Sequence, residues 1–96
     1  MTSERTAHEE KLSAQLAVWS AQLAVIKAKA EKASVDAKIE ITALASDLQG
    51  KHDGAHAKLQ ELKAASDAAW GDLKAGAEHA WSDVSTSFRG AASKFK

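Results

Sequence analysis

The chain has no cysteine, no proline and no tyrosine, and its only aromatic residues are three tryptophans and two phenylalanines. Without cysteine there is no disulfide, no thiolate nucleophile and no thiolate metal site. Without proline nothing locks φ or removes a helical N–H, and the abundance of alanine favours long helices over any sheet. An excess of either charge is also missing. Thirteen lysines and arginines balance thirteen aspartates and glutamates, and neither half departs from neutrality by more than one charge. Binding to nucleic-acid phosphates needs a basic surplus, so no nucleic-acid partner is expected. Long apolar runs are lacking too. The longest uncharged stretch, Leu12 to Ile26, has 15 residues, four of them the polar Ser13, Gln15, Ser20 and Gln22. A membrane-spanning helix needs about 20 apolar residues. Glu4, Glu9 and Glu10 outnumber Arg5 and Lys11 ahead of it, whereas a signal peptide starts positive. A cytoplasmic location is expected, and 96 residues leave room for one domain, 1–96.

That uncharged stretch is also where the strongest pattern lies. Ser13 to Trp19 reads SAQLAVW and Ser20 to Ile26 reads SAQLAVI. Leu12, Leu16, Trp19, Leu23 and Ile26 alternate spacings of four and three, which makes one stripe down a helix and the seam of a coiled coil. Ala14, Val18, Ala21 and Val25 stand off the stripe. They widen the apolar surface beyond what one partner helix covers, and this predicts an oligomer face. The stripe continues in small residues through Ala30, Ala33 and Ala37, then regains size at Ile41, Leu44 and Leu48.

After Leu48 comes Gln49-Gly50-Lys51-His52-Asp53-Gly54. Gly50 fits a left-handed helix terminus and Asp53 fits the cap of a new helix, so a turn is expected at about 50–53. Ser66-Asp67 is another capping pair. The apolar stripe nevertheless holds one phase from Leu59 and Leu62 through Trp70, Leu73, Ala77, Trp81, Val84 and Phe88 to Phe95, which argues against a break there. Segments beginning near Lys58, Ala69, Ala80 and Ala91 align at a period of eleven residues, close to the pitch of a straight helix.

Ala69-Trp70-Gly71-Asp72-Leu73-Lys74-Ala75-Gly76, then Ala80-Trp81-Ser82-Asp83 and the terminal Phe88 and Phe95, resemble the C-terminal signature of a group of short, uncharacterised bacterial coiled-coil proteins. The leading half, with Leu16, Trp19, Leu23 and Ile26, is similar to the start of the same group. Gly71 and Ser82 stand where that group tends to have acidic residues. The resemblance implies a bacterial, cytosolic helical protein and carries no activity with it.

Chemistry finds little support in the residues. His52-Asp53-x-x-His56 has the spacing of two metal ligands on a helix with a carboxylate beside them, but no third strong ligand is near, so no metal site is expected. His8 and His79 read as surface residues. Hydrolysis needs a nucleophile, a base and an oxyanion site converging in a pocket, which continuous helices do not offer, so neither catalytic residues nor a cofactor is expected. Trp19, Trp70 and Trp81 lie on the stripes and read as core residues rather than as a ligand platform.

The expected fold is therefore all-α: an antiparallel hairpin of helices at about 4–49 and 53–95, a long coiled coil dimerising into a four-helix bundle. Its seam would hold Leu16, Trp19, Leu23, Ile26 and Ala33 against Trp70, Leu73, Trp81 and Phe88, with Ala33 opposite Trp70. The expected function is a non-enzymatic scaffold or interaction module that self-associates as a homodimer or binds a protein partner. A membrane-surface role linked to envelope stress is the alternative, carried by the eleven-residue repeats and by Ser85 to Lys96, which holds Phe88, Arg89, Lys94, Phe95 and Lys96 and no acid.

Overall fold

Two serines, and not the glycines, divide the chain. In the computed structural model, which describes residues 2–94 and the side chains of 4–93, three helices follow one another: α1 Thr2–Lys32, α2 Val35–Ala64 and α3 Asp67–Lys94. Phe95 and any side-chain cap from Thr2 or Ser3 lie outside the described side chains. Both connections are built alike. At the first, the Ala33 N–H bonds back to Ala30 O at 3.3 Å and Ser34 O accepts the Lys38 N–H at 2.7 Å. At the second, the Ala65 N–H bonds to Leu62 O at 3.3 Å and Ser66 O accepts the Trp70 N–H at 2.9 Å. One helix thus tightens in its last turn, and an extended residue lets the next begin: Ser34 at ψ 163° and Ala65 at ψ 148°. Asp36 and Asp67 sit in the first turns of the new helices, where a carboxylate favours the positive end of the helix dipole. At the second connection the Ser66 hydroxyl also accepts the Ala69 N–H, at 3.2 Å.

The expected turn at Gly50 to Asp53 is thereby corrected, and with it the two-helix hairpin. Gly50 and Gly54 lie inside α2, no glycine has a positive φ, and a Cβ at either position would meet nothing within 4 Å. Glycine costs a helix about 1 kcal/mol relative to alanine. The same helix buries Ala45, Leu48, Ala55, Leu59 and Leu62 on both sides of the glycines, and burying even one leucine is worth about 1.5 to 3 kcal/mol. Burial outweighs the glycines. Continuity of the stripe past Ser66 is the second misleading signal, because apolar phase records which face of a helix is buried and is blind to a reversal of chain direction.

A helix of 31 residues is about 46 Å long at 1.5 Å per residue, close to the 51 Å long axis of the molecule, whose other extents are 19 and 17 Å. The three helices therefore lie side by side, up, down and up. α2 packs closely on both neighbours, through small residues such as Ala45 and Ala55. α1 and α3 run parallel and farther apart, and aromatic rings fill the space between them. The Trp19 ring stacks on Phe88 with centroids 5.6 Å apart and lies 5.9 Å from that of Trp81. The Trp81 Nε1–H donates to Leu12 O at 3.3 Å, which joins α1 to α3.

Of the residues assigned to the seam, Leu16, Trp19, Leu23, Ile26, Trp81 and Phe88 are buried and Trp70 is half-buried against them. Their partners differ from the hairpin register. Trp19 meets Phe88 because α1 and α3 are parallel, whereas antiparallel pairing would set Leu16 there. Ala33 lies in the α1–α2 connection, at the opposite end of the bundle from Trp70, and Leu73 is 37 % exposed.

Candidate functional site

Charge converges most densely where α1 begins, α2 ends and α3 begins. The Arg5 guanidinium uses its whole fork there. Nη2 donates to Leu62 O at 3.1 Å, Lys63 O at 3.1 Å and Ala65 O at 2.7 Å, so a side chain of α1 caps the C-terminus of α2. Nη1 reaches Asp67 Oδ1 of α3 at 2.9 Å, and Nε reaches Glu9 Oε2 at 3.0 Å. Hydrogen bonding to Glu9, and after it to Asp67, raises the Arg5 pKa. Glu9 Oε2 also accepts the Trp70 Nε1–H at 3.0 Å, and Arg5 Cζ at 5.8 Å and Lys74 Nζ at 5.7 Å both lie over the Trp70 ring. The His8 ring meets Trp70 edge-on at 5.7 Å. Its Nε2 is 3.6 Å from Glu78 Oε1, too long for a hydrogen bond.

Apart from His8 Nε2, which is buried without a hydrogen-bond partner, these groups satisfy one another, and what they do is join three helices. No local sequence signal marks Arg5, since its partners on α2 and α3 lie 57 to 62 positions away. Lysine carries the charge without the planar fork. Arg5→Ala is therefore expected to lower the melting temperature and shift Trp70 emission, with Arg5→Lys intermediate in both. Thermal unfolding followed by circular dichroism and fluorescence checks this, and equal behaviour of Arg5→Lys and the parent would show that the fork is unused.

His52 and His56 lie on α2 rather than in a turn. His52 Nδ1 is 3.3 Å from Asp53 Oδ1, and the same oxygen accepts Gln49 Nε2–H at 2.9 Å. Gln49 foremost, then His52, holds the Asp53 carboxyl below the ordinary aspartate range. Asp53 is thus a mid-helix acceptor and caps nothing. His56 and His79 are exposed. Among the described residues no group of three or more histidine, aspartate or glutamate side chains is placed to hold a metal ion, and no helix is long and apolar enough to cross a membrane.

A further feature is exposed apolar surface. Val18 is 49 % and Val25 55 % exposed on the outward side of α1, with Ala14 and Ala21 exposed beside them. Between Lys11 and Lys27 this helix presents no charge at all. Beside Val25 runs a shallow groove between α1 and α3, lined by Gln22, Ile26, Lys29, Phe88 and Ala92. At the start of α2, Val35 and Ile39 are 76 % and 65 % exposed. Both residues of this second pair stand off the stripe of Ile41, Leu44 and Leu48, and that offset is the only signal of them in the sequence.

Compared with protein-family models, with curated proteins and with solved structures, the chain gives no match.

Proposed function

We propose that this chain is a non-enzymatic helical module that works by helix–helix association, and that its first partner is a second copy of itself. The observation that supports this reading is the outward face of α1, where Ala14, Val18, Ala21 and Val25 form an uncharged apolar strip that the bundle leaves open to water. An isolated exposed valine means little, but two at heptad spacing among alanines offer a helix-sized contact. The likeness to short bacterial coiled-coil proteins fits such a role. Two copies of a three-helix fold would bring six helices together, which replaces the four-helix arrangement that a hairpin would have made.

Sedimentation velocity at tens of micromolar is expected to show a dimer. Replacing both Val18 and Val25 by lysine should give a monomer with unchanged helicity and an unchanged melting profile at low concentration, because neither side chain belongs to the core. A monomeric parent protein at the same concentration overturns the reading.

One observation favours a second reading. Folding gathers residues 25–42 and 85–93 at one end of the bundle, where Lys27, Lys29, Lys32, Lys38 and Arg89 outnumber Glu31, Asp36 and Glu40. The chain is neutral, yet this end is basic and carries the exposed Val35 and Ile39. A basic end with an apolar pair suits an anionic lipid surface, where each lysine or arginine near the headgroups adds about 1 kcal/mol. Co-sedimentation with vesicles containing phosphatidylserine, absent with phosphatidylcholine alone and weakened by Ile39→Asp, is the expected result. Equal retention by both vesicle types would remove this reading.

A further inference from the structure

α1 carries a second heptad pattern on the side turned away from the core. Ala7, Lys11, Ala14, Val18, Ala21, Val25, Ala28 and Lys32 follow at alternating spacings of four and three, and every one of them is exposed. The neighbouring heptads Ser13 to Trp19 and Ser20 to Ile26 differ only in their last residue, which is buried. Their identity at Ala14 and Ala21, and at Val18 and Val25, therefore lies on a face that the bundle itself does not use.

Resting on the self-association proposed above, we infer that α1 packs against α1 of a second copy in the antiparallel sense, about a twofold axis passing between residues 19 and 20. In that register facing residue numbers add to 39. Ala14 meets the partner's Val25, Val18 meets the partner's Ala21, Lys11 meets the partner's Ala28, and Ala7 meets the partner's Lys32. Every level sets a small side chain against a large one, which is what close packing of two helices requires. Each lysine lies with its stem along an alanine and its ammonium free to reach water. The parallel alternative sets valine on valine, alanine on alanine, and Lys11 and Lys32 each against its own copy, so that like charges face each other inside the seam. A twofold axis also closes the assembly at two copies, since the same strip is used on both.

The flanks restrict the contact to its centre. Gln15 and Gln22 stand on one side of the seam and Ala17 and Ala24 on the other, all without charge. Glu10 and Glu31 lie farther out on the alanine side and bring two acids toward each other at the ends. The contact is one helix wide and falls short of the roughly 800 Å² per partner of a standard stable interface. The dimer is accordingly a weak, concentration-dependent one.

The test uses the full chain, which has no cysteine of its own. Ala14→Cys and Val25→Cys are made separately and oxidised alone and mixed, at a concentration where the parent sediments as a dimer. In the antiparallel register two copies of position 14 are separated by 11 residues, or about 16 Å along the axis at 1.5 Å per residue. A disulfide needs Cα atoms about 4.4 to 6.8 Å apart. The mixture is expected to bridge position 14 to position 25 at least tenfold faster than either variant bridges to itself. Rapid bridging of Ala14→Cys alone would mean parallel helices and overturn the register. A dimer that bridges in neither experiment overturns the register and leaves self-association standing, whereas a monomeric parent removes both. A size swap gives an independent reading: Ala14→Val should weaken the dimer several-fold, and adding Val25→Ala to the same chain should restore it. Failure to restore speaks against the pairing of 14 with 25.

Discussion

Trp19→Ala is expected to destabilise the protein by about 3 to 5 kcal/mol, the range for removing a fully enclosed aromatic side chain. Trp19 is 2 % exposed, and it bridges the wider gap of the bundle by stacking on Phe88 with ring planes 13° apart while touching Trp81 on another edge. Its removal strips packing from two further rings at once, and neither α1 nor α3 can close up, because α2 already fixes both. A domain of this size has about 5 to 15 kcal/mol of stability in all, so about a fifth of it or more would go. Leu73→Ala is the matching control. With Leu73 37 % exposed, it should shift stability by no more than about 0.5 kcal/mol, although in an antiparallel hairpin the same residue would sit in the seam. Urea unfolding followed by circular dichroism compares the two, and a Trp19→Ala loss no larger than that of Leu73→Ala would reject the α1–α3 packing.

The double replacement Gly50→Ala, Gly54→Ala is expected to stabilise the protein by about 1 to 2 kcal/mol. Both glycines are exposed and in mid-helix, neither has a positive φ, and an added Cβ meets nothing within 4 Å. Alanine therefore restricts the unfolded chain without touching anything in the folded one. A gain of this size raises the melting temperature by about 4 to 16 °C in a domain of about 100 residues. The sign is the informative part. If Gly50 ended a helix in the left-handed conformation, alanine would be strained there and the variant would melt lower, so a fall in the thermal midpoint would restore the hairpin.

The residues where reading and structure part company share one physical feature. Leu16, Trp19, Leu23, Ile26, Trp81 and Phe88 were legible as core because burial on a helix follows a period of 3.6 residues that any window of the chain displays. Gly50 and Asp53 misled because a terminus signal weighs about 1 kcal/mol, less than the burial of Leu48 and Leu59 on the helix that runs through it. Ser34 and Ser66 were the true signals. Each follows alanine, with Lys32 and Lys63 in the last turns before them and Asp36 and Asp67 in the first turns after. Ser66 loses to a stripe whose phase happens to agree across both breaks, and Ser34 stands within that stripe's run of small residues with no glycine to mark it.

The sequence by itself determined that the chain is helical, which face of each helix turns inward, and that Ala14, Val18, Ala21 and Val25 are surplus to that face. These properties are local, set by backbone propensity and by the spacing of apolar residues within a few turns. Only the tertiary structure decided that there are three helices, that α1 and α3 run parallel so that Trp19 meets Phe88, and that Arg5 ties together α1, the end of α2 and the start of α3. The gathering of basic residues at one end of a neutral chain was decided there too. Each of these depends on where the chain reverses, and a two-residue reversal is chosen by the summed burial of about 90 other residues rather than by the residues that make it.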